Sequence, residues 1–421
     1  MITKSGKINL EKCVLYFVLI TAFFSDWMRY KNSDITVFRI VIIAALLICM
    51  GKKTKIFIKT LLFFGLFLIY DLLQSLFFTI CNTYGISFSM FHFVEYAYFY
   101  FCIFAIICFT YTIYELDRKN FQQQFFQMLK IVAVIYMLIM LFENQLGNYA
   151  HDVNEYGAFL AAIFPVFFYE IFKEKKLVNI VFCSLVYFLL YAKDCKLGLL
   201  GVALETGIIL VLLLRNSRLP GTRFLSYLFM FSFLILCIFV LNSPLEINGY
   251  ALKGIVMEPI WRIITGTPYE RSASSTSYRT NVIIFGIEWI KRTFMVGIGA
   301  GNSGRLFRAL IPDNEIIPIW IKKDAISLHN AWMEFCVEFG LAGICFLGYV
   351  MGKVLQMFLQ KKWSKFQVVA MTVAFSFWVW ILGPSGILTS YYLIAVFTGL
   401  FIVIKRQDIC KKRKIEYEDS V

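Results

Sequence analysis

About twelve apolar segments, each near the roughly 20 residues that a helix needs to cross a bilayer, constrain this chain most strongly. A soluble domain does not contain so many long apolar runs, and 60% of all residues are hydrophobic. The sequence therefore predicts an all-α polytopic membrane protein with about 12 transmembrane helices. The segments are residues 13–28, 35–50, 56–80, 90–112, 127–143, 155–172, 177–192, 196–214, 224–243, 327–350, 366–383 and 386–404.

Positive charge separates the predicted loops into two classes. If the N-terminus lies inside, most lysines and arginines fall in the cytosolic pieces. The short outer loops then hold only Arg29, Lys31, Lys193 and Lys196. This bias predicts a multi-pass protein with both termini in the cytoplasm. It also accounts for the net charge of +14 through contact with anionic lipid, so we expect the lipid bilayer, and no nucleic acid, as a partner.

One long polar segment interrupts the apolar pattern and defines the predicted domains. Residues 1–243 should form spans 1 to 9, 244–326 a large extracytoplasmic loop, 327–404 spans 10 to 12, and 405–421 a basic cytoplasmic tail. Long loops in compact proteins are usually functional. A helical period within 279–296 predicts that the loop bears helices, one of which could lie in the plane of the membrane interface.

The run from His329 to Gly343 carries ionisable groups into the tenth span. Such groups are costly in a membrane and usually mark a functional cavity. His329 titrates near neutral pH and could accept a proton from a hydroxyl; the alternative is a hydrogen-bonded histidine at a helix start. Asn330, Glu334 and Glu338 are spaced four residues apart and share one helix face. A structural role as an interfacial pair is the alternative for the two glutamates.

A second cluster of notable residues lies within the long loop. Arg279 offers a planar fork suited to phosphate oxygens, although a lone loop arginine is often merely exposed. The run Gly297-Ile298-Gly299-Ala300-Gly301-Asn302 frees the backbone for close approach to a ligand. A tight re-entrant turn explains the same glycines equally well. There is no P-loop and no Rossmann fingerprint, so we expect no nucleotide cofactor.

These motifs together resemble the O-antigen ligase and Wzy-type polysaccharide polymerase superfamily. The pattern consists of the long outer loop, Arg-x9-Trp, GxGxGN and HNxxxExxxExGxxG at the start of a helix. The resemblance implies a GT-C-like helical fold in the bacterial plasma (inner) membrane. It implies transfer of a glycan from undecaprenyl diphosphate to a sugar hydroxyl on the outer face. It also implies that no cofactor and no metal are used, because basic side chains neutralise the diphosphate.

The resemblance assigns roles to individual residues. Arg279 matches the arginine that binds diphosphate, and His329 matches the histidine that activates the acceptor. A Ser-Arg-Gly-like motif of the family corresponds here to Asp194-Cys195-Lys196-Leu197-Gly198. Lys196 would replace its arginine, supplying charge but not the bidentate fork. The remaining predicted substrate-binding residues are Asn330, Gly299, Gly301, Asn302, Glu334 and Glu338.

The sequence leaves four functions open, and we favour the polymerase because polymerases are the more numerous members of the superfamily. A polymerase would join lipid-linked repeat units into an O-antigen, capsule or exopolysaccharide, with a chain-length regulator and a flippase as further partners. A ligase would pass a finished glycan to a terminal acceptor. A lipid-linked oligosaccharide flippase is favoured by broken spans and midplane charge, but not by the long loop. A metal-dependent GT-C enzyme would use Asp26 and Asp34 as ligands.

Overall fold

The computed structural model is almost wholly helical over the residues it describes. These are 10–24, 37–81, 89–146, 153–173, 177–193, 195–215, 228, 232, 246–247, 250–269, 275–310, 330–358, 363–380, 391 and 394–402. The first half of the chain contributes α1 (Leu10–Phe23), α2 (Val37–Lys52), α3 (Thr54–Cys81), α4 (Met90–Leu116), α5 (Phe121–Leu146), α6 (Val153–Lys173), α7 (Val178–Ala192) and α8 (Lys196–Arg215).

The second half begins with a minimal hairpin. Strands β1 (Glu246–Ile247) and β2 (Tyr250–Ala251) pair antiparallel, a small departure from the predicted all-α class. Helices then continue as α9 (Leu252–Thr265), α10 (Ser275–Arg292), α11 (Asn302–Leu310), α12 (Ala331–Phe358) and α13 (Lys365–Trp380), and residues 394–402 are also helical.

Five described helices are long and apolar enough to cross a membrane. They are Thr54–Ile80, Phe93–Leu116, Phe121–Phe142, Leu197–Arg215 and Ala331–Phe358. Shorter apolar helices occur at Gly157–Phe172, Val178–Ala192 and Gln367–Phe377. Large apolar side chains on these helices remain exposed, as expected for surfaces that face lipid. The chain is therefore a polytopic membrane protein, and the number of twelve spans stays a prediction.

Two groups of packed helices organise the described chain. In one group, α8 packs closely against α6 and α13. Glycine permits the α6–α8 approach, since a Cβ built at Gly198 would lie 2.9 Å from the Gly157 Cα. In the other group, α3 packs on α4, and α10 packs on α12. The second group contains Arg279, Glu334 and Glu338, whereas Lys196 begins α8 in the first group.

A buried ion pair joins the start of α1 to the link between α4 and α5. Lys12 donates to Asp117, which also accepts from the Asn120 side chain at 3.1 Å. Burial acts to raise the pKa of the Asp117 carboxyl, but the hydrogen bond and charge of Lys12 outweigh it and hold this pKa below its usual value. The pair therefore stabilises the fold fully above about pH 4, the unfolded pKa of aspartate, and its contribution declines as pH falls below that.

We expect Asp117→Asn to destabilise the protein by on the order of 1–3 kcal/mol at pH 7, because the buried Lys12 ammonium loses the charge of Asp117. Thermal unfolding of both proteins in detergent between pH 3 and pH 7 measures this. The difference between them should shrink below about pH 4. A constant difference across the range would show that the carboxylate charge is not the stabilising element.

Candidate functional site

A break in α12 creates the central feature of the site. Gly340 has φ 56° and ψ −136°, which interrupts the helix and frees backbone groups on either side. The Val337 and Glu338 carbonyl oxygens accept hydrogen bonds from the Ile298 amide, at 3.3 and 3.1 Å. The Leu341 amide donates to the Met295 carbonyl at 2.6 Å. The turn that follows α10 therefore takes the place of the missing helical partners.

The glycine run forms the middle of this turn. Gly297, Gly299 and Gly301 all have positive φ, at 90°, 82° and 70°. Helix α11 begins directly afterwards at Asn302 and packs on α12. We call residues 297–301 the glycine clamp.

Two carboxyl groups from different helices hold the clamp. Ala300 donates its amide to Asp71 Oδ1 of α3 at 2.7 Å. Glu338 Oε1 of α12 accepts from the Gly301 amide at 2.9 Å and from Ser303 Oγ at 2.6 Å. Gly299 donates to the Glu338 carbonyl at 3.0 Å. The amides of residues 298–301 thus all have protein acceptors, including those of Gly299 and Gly301, which we had predicted to face the substrate.

Side chains of α3 and α4 close the clamp from the other side. Gln74 donates to the Val296 carbonyl, and Tyr70 donates to the Phe339 carbonyl at 3.2 Å. Asn302 donates to the Ile298 carbonyl at 2.9 Å. The Tyr96 ring lies against Gly301 so closely that a Cβ there would overlap it. The predicted substrate-binding residue Asn302 is therefore part of this packed network.

The clamp lies well inside two helices that are long and apolar enough to cross a membrane. Glu338 is seven residues from the start of α12, and Asp71 is ten residues from the end of α3, or about 10–15 Å along each axis. Both helices qualify as membrane spans. Irregular backbone at such depth requires internal hydrogen-bond partners, which the clamp supplies. The segment after α10 therefore packs between helices of spanning length, and protein covers the α10 face with Val282 and Trp289, which the sequence suggested for the interface plane.

The register between α10 and α12 locates Arg279. Gly286 lies against Met333, and Trp289 packs with Val337, so the two helices run side by side in the same direction. Arg279 is seven residues before Gly286, and Asn330 is three residues before Met333. Arg279 therefore lies about 6 Å before Asn330 along this direction, on the side away from Glu338.

Burial singles out Arg279 within its own turn. Residues 277, 278, 280, 281 and 282 are buried, and Arg279 alone among 277–282 is partly exposed. Asn281 anchors this turn, because its amide side chain binds both backbone groups of Tyr269, at 2.7 and 3.0 Å. The Arg279 guanidinium is thus carried on a rigid, buried helix start.

The other predicted site residues fall into different positions. Asn330 is buried and caps α12, accepting the Met333 amide at 3.1 Å. Glu334 is partly exposed one turn further on. Helix α8 begins at Lys196, whose side chain lies outside the described residues. His329 also lies outside them, as do Asp26 and Asp34.

The structure thus separates two sets of predicted residues. Arg279, Asn330 and Glu334 are near the start of α12, whereas Gly299 and Gly301 are in the clamp and Asn302 and Glu338 lie against it. Glu338 lies about 12 Å beyond Asn330, so the clamp and Arg279 are about 18 Å apart along the helices. One diphosphate cannot touch both. Within the described part of the chain, no group of three or more histidine, cysteine or acidic side chains could hold a metal ion.

Sequence reasoning missed the partners of the clamp. Asp71, Gln74, Ser75 and Ser303 belong to none of the motifs found in the sequence. The available signal was spacing, because Tyr70, Asp71, Gln74 and Ser75 form a polar stripe on an apolar helix.

Comparison with known proteins bears on the same region. Residues 178–348 match the family model described as O-antigen ligase, a segment of less than half the chain that includes Arg279, the glycine clamp and the start of α12. No curated protein and no solved structure matches the chain. Members of this family are glycosyltransferase-like enzymes that act on lipid-linked oligosaccharides in membranes. The predicted resemblance to the O-antigen ligase and Wzy-type polymerase superfamily is therefore confirmed over residues 178–348.

Proposed function

We propose that this protein is a polysaccharide polymerase with a GT-C-like fold in the bacterial plasma membrane. It would transfer a glycan from undecaprenyl diphosphate to a sugar hydroxyl on another lipid-linked repeat unit, at the outer face. The observation that carries the proposal is the register of α10 on α12. It puts the partly exposed Arg279 about 6 Å along the helices from Asn330, the sequence neighbour of His329.

The chemistry assigns each group a task. The acceptor hydroxyl oxygen attacks the anomeric carbon, the bond from that carbon to the diphosphate oxygen breaks, and the diphosphate leaves with the electron pair. His329 takes the hydroxyl proton. Arg279 stabilises the charge that develops on the diphosphate, with Lys196 as the second cation. Attack opposite the leaving group inverts the anomeric centre.

The remaining polar groups near this level suit the glycan. Glu334 is partly exposed one turn after Asn330 and can accept hydrogen bonds from sugar hydroxyls. Asn330 fixes the start of α12 by accepting the Met333 amide. A site at the end of a span lets the polyprenyl chain remain in lipid while the sugars stay in water.

One observation favours the transporter alternative. Spans broken near the midplane often expose backbone groups that bind a transported substrate or ion. The break at Gly340 is such a feature. However, residues 295–299 form hydrogen bonds with the Val337 and Glu338 carbonyls and the Leu341 amide. These backbone groups therefore already have protein partners. This argues for a fixed scaffold, and we therefore favour the transferase.

Purified protein incubated with a defined undecaprenyl diphosphate oligosaccharide tests the proposal. We expect a ladder of products extended by whole repeat units, with release of undecaprenyl diphosphate. Transfer of one glycan to a separate acceptor, without a ladder, would identify a ligase instead. Donor that is moved across vesicles but never consumed would reject the transferase. Loss of the ladder in EDTA would support the metal-dependent alternative with Asp26 and Asp34.

His329 provides the sharpest check on the proposed base. Replacing it with alanine should lower the rate of chain extension by about 100-fold to 10,000-fold, the usual contribution of a positioned base. The pH profile of the wild-type enzyme should show an inflection near the histidine pKa that the variant lacks. An alanine variant with the wild-type profile would remove His329 from the mechanism.

A further inference from the structure

We infer that Asp71 and Glu338 are positioning residues, which hold the glycine clamp and thereby set where Arg279 lies along α12. The inference rests on the proposed function, because it concerns the placement of a residue proposed to bind diphosphate. It replaces the sequence-based prediction that Glu338 binds the glycan. The polar atoms that carry it are two carboxylate oxygens and the amides of Ala300 and Gly301.

The two carboxyl groups act from different directions. Asp71 reaches the clamp from α3, and Glu338 reaches it from α12, with both side chains almost fully buried. Glu338 additionally accepts from Ser303, which fixes the first turn of α11. The loop is therefore held against two separate spans, so it cannot shift along either one without losing a hydrogen bond.

The clamp controls α10 through a short connection. Only residues 293–296 separate the end of α10 from Gly297, and within them the Met295 and Val296 carbonyls are held by Leu341 and Gln74. Helix α10 is continuous from Ser275 to Arg292 and packs on α12. A displacement of the clamp would therefore be passed along α10 to its other end, where Arg279 lies.

A small displacement there has a large kinetic effect. A misplacement of about 1 Å can lower a rate by about 100-fold, because the charged group no longer meets the transition state correctly. Neither carboxyl group needs to touch the substrate for this. Both lie about 18 Å from the level of Arg279.

Isosteric amide variants distinguish a positioning role of the two carboxyl groups from direct contact with the substrate. Asp71→Asn and Glu338→Gln keep an oxygen that can accept the Ala300 and Gly301 amides, while Asp71→Ala and Glu338→Ala remove it. A carboxylate that bound the glycan by its charge, or exchanged a proton with it, would lose function in the amide variants as well. The amide variants should therefore rescue activity only if the role is that of an acceptor.

Initial rates of chain extension at varied donor concentration test this. We expect the alanine variants to lower kcat by about tenfold to 100-fold with a smaller change in KM, and the amide variants to stay within a few-fold of wild type. Glu170→Ala is the control, since this buried carboxylate pairs with Lys130 on α5, away from α10. It should reduce stability without changing kcat per folded molecule. Amide variants as inactive as the alanine variants would overturn the inference.

Unfolding temperature gives a readout that does not need activity. A double-mutant cycle of Glu338→Ala and Ser303→Ala should be non-additive, because each removes the same hydrogen bond. Buried native thiols such as Cys102 and Cys108 report unfolding through a thiol-reactive dye. If the wild-type protein never consumes the donor, the proposed function is wrong. The double-mutant cycle still tests the hydrogen bond of Glu338 to Ser303, because it measures unfolding and not activity. Additive effects would overturn the clamp itself.

Discussion

Replacing Arg279 with alanine is expected to lower the rate of glycan transfer by about 100-fold to 1,000-fold, the usual effect of removing one preorganised donor to developing charge. The side chain is carried on a buried helix start that Asn281 anchors to Tyr269, so we expect the helix to position it before the substrate binds. The effect should appear in kcat, because the charge on the diphosphate grows as the bond to the sugar breaks.

Two further variants make the Arg279 result specific. Arg279→Lys keeps the charge but not the two-pronged geometry, so we expect a loss of about tenfold, equivalent to one charge-assisted hydrogen bond. Arg292→Ala removes an exposed arginine from the other end of the same helix, where it pairs with Glu288. Exposed pairs contribute about 0–1 kcal/mol, so this control should remain fully active. Equal losses in Arg279→Ala and Arg292→Ala would contradict a diphosphate site at Arg279.

The hydropathy of the sequence was sufficient to predict the class of the protein. Apolar runs of spanning length can only be helices in a bilayer, and α3, α4, α5, α8 and α12 agree with that expectation. The helical period within 279–296 likewise predicted α10. The sequence did not predict that α12 covers the apolar face of α10. Periodicity shows which face is buried but not whether lipid or protein covers it.

The candidate site was predictable in part. The sequence predicted one functional region from the order of Arg279, the glycine run and His329. The family match covers all three of them. Spacing alone could not show that the glycine run lies far from Arg279 along the helices. That separation depends on the break at Gly340, which draws the turn down to the level of Glu338. The sequence alone does not show that a single glycine in a membrane helix will break that helix.

The glutamates illustrate why equal spacing does not mean equal roles. Glu334 and Glu338 share a face of α12, and the sequence assigned both to the substrate. Glu334 is partly exposed, whereas Glu338 is buried and holds the Gly301 amide and Ser303. The difference arises from α11 and the clamp, which are distant in sequence, so it is a tertiary property that neither residue reveals alone.

Gly340 is the position at which a single methyl group should have the largest structural effect. Its φ of 56° with ψ of −136° is a conformation that residues with a Cβ rarely adopt. A Cβ there would also lie within 2.5 Å of the Gly297 amide nitrogen and overlap the Met295 carbonyl oxygen. Both atoms are backbone, so neither can rotate away. We expect Gly340→Ala to destabilise the protein by more than about 4 kcal/mol and to abolish its extraction as a monodisperse species.

Gly348→Ala and Gly352→Ala on the same helix are the matched controls. Nothing lies within 4 Å of a Cβ at either position, so alanine should be neutral or stabilising by about 0.5–1 kcal/mol, as in other helices. Yield after detergent extraction and the dye-detected unfolding temperature compare the three variants directly. If Gly340→Ala gave the same yield and unfolding temperature as the two control variants, α12 would have to be a continuous helix. The turn bearing the glycine clamp would then lose its place between α3 and α12, since a continuous helix keeps the Val337 and Glu338 carbonyls for itself.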